Sequence, residues 1–379
     1  MVRGLTLYQF TYPALYQFTY HGLISGKSGK FSRPHQSLLF HAVPGAVQAS
    51  LARRMACWLR RFPSAAGPPS HTFCLPPLSM SRRILVTGAS GMLGSHVLAV
   101  LSAKNDVAGW SHSSDRAPLH RIDATSAQQV DHFFRTHTPE ICVHCIASPD
   151  VQACERDPDM AERLNARTTE HVARACTEHG AKLVYISTEY VFDGTAVDGY
   201  TEDSQPRPLQ TYGRTKLRGE EHAAQVPHHL TVRLPVLYGG PVLGRERTWI
   251  EALLRSLEQG LPVELDDHFE RQPTWAHDVA TVLNRAIDED LEGILHVATQ
   301  EGLTKFAWGV KLAEAAGLPS SLVRPAPVPA VTSGPPKPAR PWLQTHRLQR
   351  LGIPPPAGLS ERAAAYLRSI RAVREARAS

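Results

Sequence analysis

The sequence predicts an α/β fold, a doubly wound parallel sheet with a smaller C-terminal α/β lobe. Three observations predict it. A short apolar run passes directly into a glycine-rich turn and a helix at 84–101. Strand-like and helix-like segments then alternate up to about Arg233. Beyond it, helical stretches at 249–259, 278–287 and 304–316 are separated by short strands.

Ile84, Leu85 and Val86 suit a strand covered on both faces, and 92–101 reads as the helix that follows. Between them, TGASGMLG at 87–94 spaces Gly88, Gly91 and Gly94. In such a turn the first glycine permits a tight bend, the second lets backbone N–H groups approach a pyrophosphate, and the third lets helix pack on strand. Gly88, Ser90, Gly91, Met92, Leu93 and Gly94 are therefore the candidate cradle of a dinucleotide in a Rossmann-type domain. The second strand, 106–110, runs into Ser111 and His112 with no carboxylate before Asp115. An acid at that strand end would bind the ribose hydroxyls of NAD. Its absence favours NADPH, with NADH the second candidate, and offers His112 or Arg116 to the extra phosphate. Asp123 sits where a third strand ends and is placed against the adenine.

The run ICVHCIA at 141–147 is the fourth strand, so Cys142 and Cys145 belong to core packing despite their metal-like spacing, and no metal site is expected. The next strand begins LVYISTEYVFDG at 183–194 and turns polar at Ser187 and Thr188. That is the carboxyl end of a parallel strand, where open α/β sheets place ligands. Downstream, TYGRTK at 211–216 puts Tyr212 and Lys216 four residues apart, on one face of a helix. A phenol, with an ordinary pKa near ~10, is a poor acid or base at neutral pH unless a cation favours its phenolate. The Lys216 ammonium is expected beneath the Tyr212 ring, where it also reaches the cofactor ribose. Tyr212 then gives a proton to a carbonyl oxygen as hydride arrives at the carbon, with a strand-end hydroxyl orienting it.

These residues resemble the extended short-chain dehydrogenase/reductases, and within them the dTDP-4-dehydrorhamnose reductase branch. The resemblance runs through TGASGMLG, Cys145-Ile146-Ala147, Asn165, STEYVFDG at 187–194, Tyr212 with Lys216, RLPVLYG at 233–239 and RQPTWAHDVA at 271–280, nearly everything from Met80 onward. It implies a C-terminal substrate-binding lobe and NAD(P)H-dependent reduction of a 4-keto nucleotide sugar, as in dTDP-rhamnose biosynthesis. By position, Thr188 is the hydroxyl partner, Tyr212 the proton donor and Lys216 its activator, while Ala147 borders the nicotinamide. The chain departs from the branch pattern at Glu189, where an aspartate is usual, and at 270–274, which lacks a Gln-Gly spacing before Pro-Thr. Glu189 and Arg271 are thereby the candidate substrate contacts, and Glu189 keeps a dehydratase or epimerase in view. The same branch holds the regulatory beta subunit of methionine adenosyltransferase, to which YVFDGT, TKLRGE, LPVLYG and LPSSLVRP are similar. That likeness implies a methionine adenosyltransferase catalytic subunit as partner and cofactor binding without obligatory turnover. A homodimer is the other assembly considered.

The reading by domains is 1–79 a basic extension, 80–235 the dinucleotide-binding domain, and 236–379 mainly the substrate lobe with segments returning to the first. The extension holds eight Lys or Arg and no Asp or Glu, so removing it takes the net charge from +6 to −2. A nucleic-acid surface is thus unsupported in the folded part, and a disordered tail is expected before it. LYQFTY at 7–12 recurs at 15–20, and the acid-poor composition admits a targeting segment, but MSRRILV at 80–86 reads as a natural beginning. GLISGKS at 22–28 imitates a phosphate loop with one residue too few between its glycines. Six cysteines and no membrane-length apolar stretch point to a reduced, cytoplasmic protein.

Overall fold

The computed structural model describes residues 6–11, 17–22, 81–112, 117–240, 248–327 and 334–378. The chain divides into two units, 1–77 and 78–379. In the first, strands β1 (Thr6–Thr11) and β2 (Gln17–Gly22) pair antiparallel, with Tyr8 opposite Tyr20 and Phe10 opposite Phe18. The pairing runs through the near repeat, a local order that the composition of the extension did not announce. The phosphate-loop imitation beyond Gly22 and the expected beginning at Met80 lie outside the described residues.

The second unit is built on seven parallel strands: β3 (Arg83–Thr87), β4 (Asp106–Ser111), β5 (Leu119–Arg121), β6 (Ile141–His144), β7 (Lys182–Thr188), β8 (His229–Leu234) and β12 (Gly293–His296). Their spatial order is β12-β8-β7-β6-β3-β4-β5. The chain winds outward from β3 through β4 to β5, then crosses back to β6 and continues the other way. The strand order therefore reverses between β3 and β6, the crevice where ligands bind in open sheets of this kind.

Alternation along the strands divides the core. Ile84, Val86, Val143, Val184 and Val232 face helices α1 (Met92–Leu101) and α8 (Ala276–Asp288). Leu85, Cys142, Leu183 and Tyr185 face the layer of α2 (Ala127–His137), α5 (Thr168–His179) and α6 (Thr211–Ala223). Strand β12 and helix α8 both come from beyond residue 236, and both pack on the sheet or on α1. Between β6 and α5 lie two short helices, α3 (Val151–Arg156) and α4 (Pro158–Ala161), and then a π-helical turn, Glu162–Arg167.

The smaller lobe gathers α7 (Trp249–Glu258), α9 (Lys305–Ala316) and α11 (Leu359–Ala378) around Tyr238, Ile250, Leu254, Trp308, Leu312 and Tyr366. Two short parallel pairs brace it: β9 (Leu237–Tyr238) with β11 (Thr274–Trp275), and β10 (Val263–Leu265) with β13 (Val323–Pro325). The five-residue α10 (His346–Arg350) packs on β12. The expected helices at 249–259, 278–287 and 304–316 are met to within two residues at each end. Part of the proline-rich stretch after β13, 328–333, lies outside the described residues.

Helix α7 starts in a capping box: the Thr248 hydroxyl accepts from the Glu251 amide and the Glu251 carboxylate accepts from the Thr248 amide, both at 3.3 Å. Thr248→Ala is expected to lower stability by about 1 kcal/mol, read as a lower urea midpoint with an unchanged slope. Among the described residues no helix is long and apolar enough to cross a membrane.

Candidate active site

The parallel register brings four strand ends into one row: Thr87 beside His144 on β3 and β6, and Ser187 and Thr188 beside Arg233 and Leu234 on β7 and β8. The glycine turn leaves β3 at the head of this row. Gly88 adopts φ +62, and a Cβ there would lie 3.1 Å from the backbone of Cys145 and Ile146 after β6. At Gly94 a Cβ would stand 2.2 Å from the Gly88 carbonyl oxygen, so turn and helix are in backbone contact. Helix α1 begins after Gly91 with no side-chain cap and no acid in its first turn. The amides of Met92, Leu93 and Gly94 thus have no partner within the helix, and the helix dipole favours an anion in front of them. The geometry fits a dinucleotide pyrophosphate.

Farther along the same edge, the Ser111 hydroxyl donates to Ser90 at 3.3 Å. His112 is exposed and lies close enough to Asp123 to favour its charge. The Asp123 carboxylate is already engaged: Oδ1 accepts from the Thr125 amide at 2.9 Å and hydroxyl at 2.7 Å, which holds its pKa below the ordinary value. Strand β5 ends at Arg121, two residues before it. Arg116 lies outside the described residues. Ala147 is half-buried in the loop after β6, which ends at His144, so Cys145 belongs to that loop and not to a strand.

Thr188, Glu189, Tyr212 and Arg271 converge at the other end of the row. Tyr212 sits in the first turn of α6, with its phenol near enough to the Thr188 hydroxyl for that hydroxyl to favour the phenolate. Burial raises the Tyr212 pKa above its ordinary value, the Thr188 hydroxyl opposing. Here the structure corrects one expectation. Lys216 is not beneath the Tyr212 ring lowering its pKa; its ammonium donates to the Ile186 carbonyl oxygen at 2.7 Å and stands 4.2 Å over the Tyr185 ring. The backbone carbonyl of β7 and the π-face below it are the nearest groups that satisfy a buried cation. Lys216 is only 2% exposed, and desolvation brings its pKa down to about 7, with the Glu220 carboxylate opposing.

Glu189 is 1% exposed, and desolvation pushes its pKa up to about 8, against the opposing pull of Arg271, whose Nε stands 3.5 Å from Oε1. Arg271 also lies 5.6 Å from the centre of the Tyr190 ring, which itself meets Tyr212 edge to face. A raised carboxyl pKa makes the folded state bind more protons than the unfolded one between the ordinary value and about 8. The Glu189 contribution to stability is therefore full at low pH and is lost as pH rises through that window. Glu189→Gln is expected to remove this loss, so that the difference between variant and wild-type unfolding free energies grows from pH 5 to pH 8 by up to about 1.4 kcal/mol per unit. Urea unfolding at several pH values reads it.

Most of the supporting side chains have no signature in the sequence. Asn165, in the π-helical turn, accepts from the Ser148 amide at 2.7 Å and donates to Thr215 of α6 at 3.1 Å, tying the loop after β6 to the tyrosine helix. The Glu155 carboxylate accepts from the Thr211 amide at 2.9 Å and so caps α6. The Tyr185 hydroxyl donates to the Lys216 carbonyl at 3.2 Å. Only Asn165 carried a signal, as one of the residues of the family resemblance.

Comparison with known proteins gives the chain's family and its similar structures. The RmlD substrate binding domain family matches residues 82–371. Methionine adenosyltransferase 2 subunit beta of Rattus norvegicus is 34% identical over 284 residues, covering 72% of this chain and 83% of that protein. A probable low-salt glycan biosynthesis reductase of Haloferax volcanii is 32% identical over 248 residues, 63% of this chain and 81% of that protein. Among solved structures, dTDP-4-dehydrorhamnose reductase from Bacillus anthracis in complex with NADP superposes with a TM-score of 0.70 at 26% identity, covering 76% of this chain and all of that one.

Proposed function

Because the chain belongs to the RmlD substrate binding domain family, we propose that it is an NADPH-dependent reductase of a 4-keto nucleotide sugar of the dTDP-4-dehydrorhamnose type, with NADH the poorer cofactor. One observation carries the reading: the Tyr212 phenol lies beside the Thr188 hydroxyl at the sheet's carboxyl edge, in the same row of strand ends from which the uncapped, glycine-lined helix start departs. When bound, the cofactor supplies the hydride. Gly88, Ser90, Gly91, Met92, Leu93 and Gly94 would hold its pyrophosphate, Ala147 would border the nicotinamide, and His112 and Asp123 would flank the adenosine end. Thr188 holds the sugar carbonyl oxygen against the Tyr212 hydroxyl. Tyr212, kept protonated by burial, gives its proton to that oxygen as the carbon is reduced. Lys216 supplies positive charge beside the reacting carbonyl and a donor for the ribose hydroxyls. Glu189 and Arg271 contact the substrate, the first as a protonated acid and the second as a cation at the pocket wall.

The test is loss of NADPH absorbance on adding dTDP-4-dehydrorhamnose to the full chain, repeated with NADH. Turnover faster with NADPH supports the reading; tight NADPH binding with no turnover on this and other 4-keto sugars overturns it.

The identity to methionine adenosyltransferase 2 subunit beta favours a second reading, a non-catalytic partner of a methionine adenosyltransferase. In that case the chain co-elutes with the catalytic subunit and alters S-adenosylmethionine formation equally well after Tyr212→Phe.

A further inference from the structure

Two consecutive residues of β7 are hydrogen-bonded to two successive turns of α6, and the next residue, Thr188, lies beside Tyr212 one turn earlier. The Ile186 carbonyl accepts from Lys216, and the Ser187 hydroxyl donates to Glu220 at 2.5 Å. The Glu220 link is anchored from the next strand. Arg233, the register neighbour of Ser187 on β8, donates through Nε and Nη2 to the two oxygens of Glu220 at 2.9 and 2.7 Å. Both partners are buried, Arg233 at 2% exposure. We propose that Glu220 and Arg233 are positioning residues of the reaction assigned above, holding the Lys216 ammonium and the Thr188 hydroxyl in one frame through a buried ion pair. The proposal rests on that functional reading for its purpose, though not for its geometry.

Two features argue that the pair does more than stabilise the fold. A buried ion pair is commonly no better for stability than apolar side chains of the same volume, because two desolvation penalties offset the attraction. This one also leaves Arg233 Nη1 buried without a hydrogen bond, with the Phe192 ring 5.1 Å from the guanidinium. The pair also sits at one place only, a single helical turn beyond Lys216. The other titratable groups around Lys216 are Tyr212 on its own helix, Tyr185 on β7, His144 at the end of β6 and Cys145 after it. Burial holds His144 down at about 3, Cys145 up at about 12, and both tyrosines above their ordinary values, so at neutral pH all four are uncharged. Glu220 is then the one carboxylate among the described groups whose charge supports that of Lys216.

The experiment follows the Lys216 side-chain amine by nitrogen-15 NMR across pH in the full chain, its resonance assigned with Lys216→Arg. Glu220→Gln keeps the shape and, through its one amide oxygen, can still accept from Ser187 and Arg233 Nε, but it removes the charge and the acceptor of Arg233 Nη2. It is expected to lower the Lys216 midpoint by about one pH unit or more. In the double variant Glu220→Met with Arg233→Met, the melting temperature is expected to stay within a few degrees of wild type, while NADPH affinity at pH 7 falls about tenfold. An unmoved Lys216 midpoint in Glu220→Gln overturns the proposal even if the double variant fails to fold, and so does wild-type NADPH affinity in a folded double variant. Absence of NADPH binding in the wild type would count against the functional reading instead. The titration, which needs neither cofactor nor sugar, still decides the role of the pair.

Discussion

Tyr212→Phe is expected to lower kcat by about 10²–10⁴-fold, the range of a positioned proton donor, while NADPH affinity changes by less than about threefold. The phenol lies beside the Thr188 hydroxyl, and burial holds its pKa above the ordinary value. Removing the hydroxyl leaves the ring and its edge-to-face contact with Tyr190 in place, so the variant folds and its loss is chemical. Steady-state kinetics with the keto sugar, beside NADPH titration by fluorescence, separates the two effects. A loss of NADPH affinity with kcat at saturating cofactor unchanged would place Tyr212 in cofactor binding alone.

The second large effect is expected from Gly94→Ala. A Cβ there would meet the Gly88 oxygen at 2.2 Å and its carbon at 2.8 Å, and both are backbone atoms that no rotamer change can move aside. Strand end and helix must separate by more than an ångström to admit the methyl, which displaces the amides of Met92, Leu93 and Gly94. The expected cost is about 1–3 kcal/mol of stability and about a tenfold to hundredfold loss of NADPH affinity, read by urea unfolding and fluorescence titration. Wild-type affinity in this variant would exclude the glycine turn from the cofactor site.

Much of this site was legible because its signals are local. The run Ile84 to Val86, the three glycines behind it and the following helix lie within one short segment, and each glycine has a steric reason that a sequence pattern expresses. The polar turn at Ser187 and Thr188 marked the carboxyl end of β7 for the same reason, and four-residue spacing placed Tyr212 and Lys216 on one helix face. What the sequence hid is contact between distant segments. Spacing alone says that Lys216 shares a face with Tyr212; it does not say that a carbonyl of β7 and the face of Tyr185 offer the ammonium a better seat. Arg233 in a strand reads as a solvated charge until Glu220 is seen opposite it, and the approach of Arg271 to Glu189 depends on how the second lobe folds back. The π-helical turn carrying Asn165 has no periodicity that distinguishes it from the α-helices on either side.

The central claim is that this chain delivers hydride to a sugar carbonyl carbon and proton to its oxygen. The most direct measurement uses NADPH deuterated at both C4 positions of the nicotinamide, incubated with the full chain and dTDP-4-dehydrorhamnose, with the product read by mass spectrometry and NMR. The account predicts one deuterium at sugar C4, absent with Tyr212→Phe on the same timescale. Unlabelled, unreduced sugar recovered beside tightly bound, intact NADPH would contradict it.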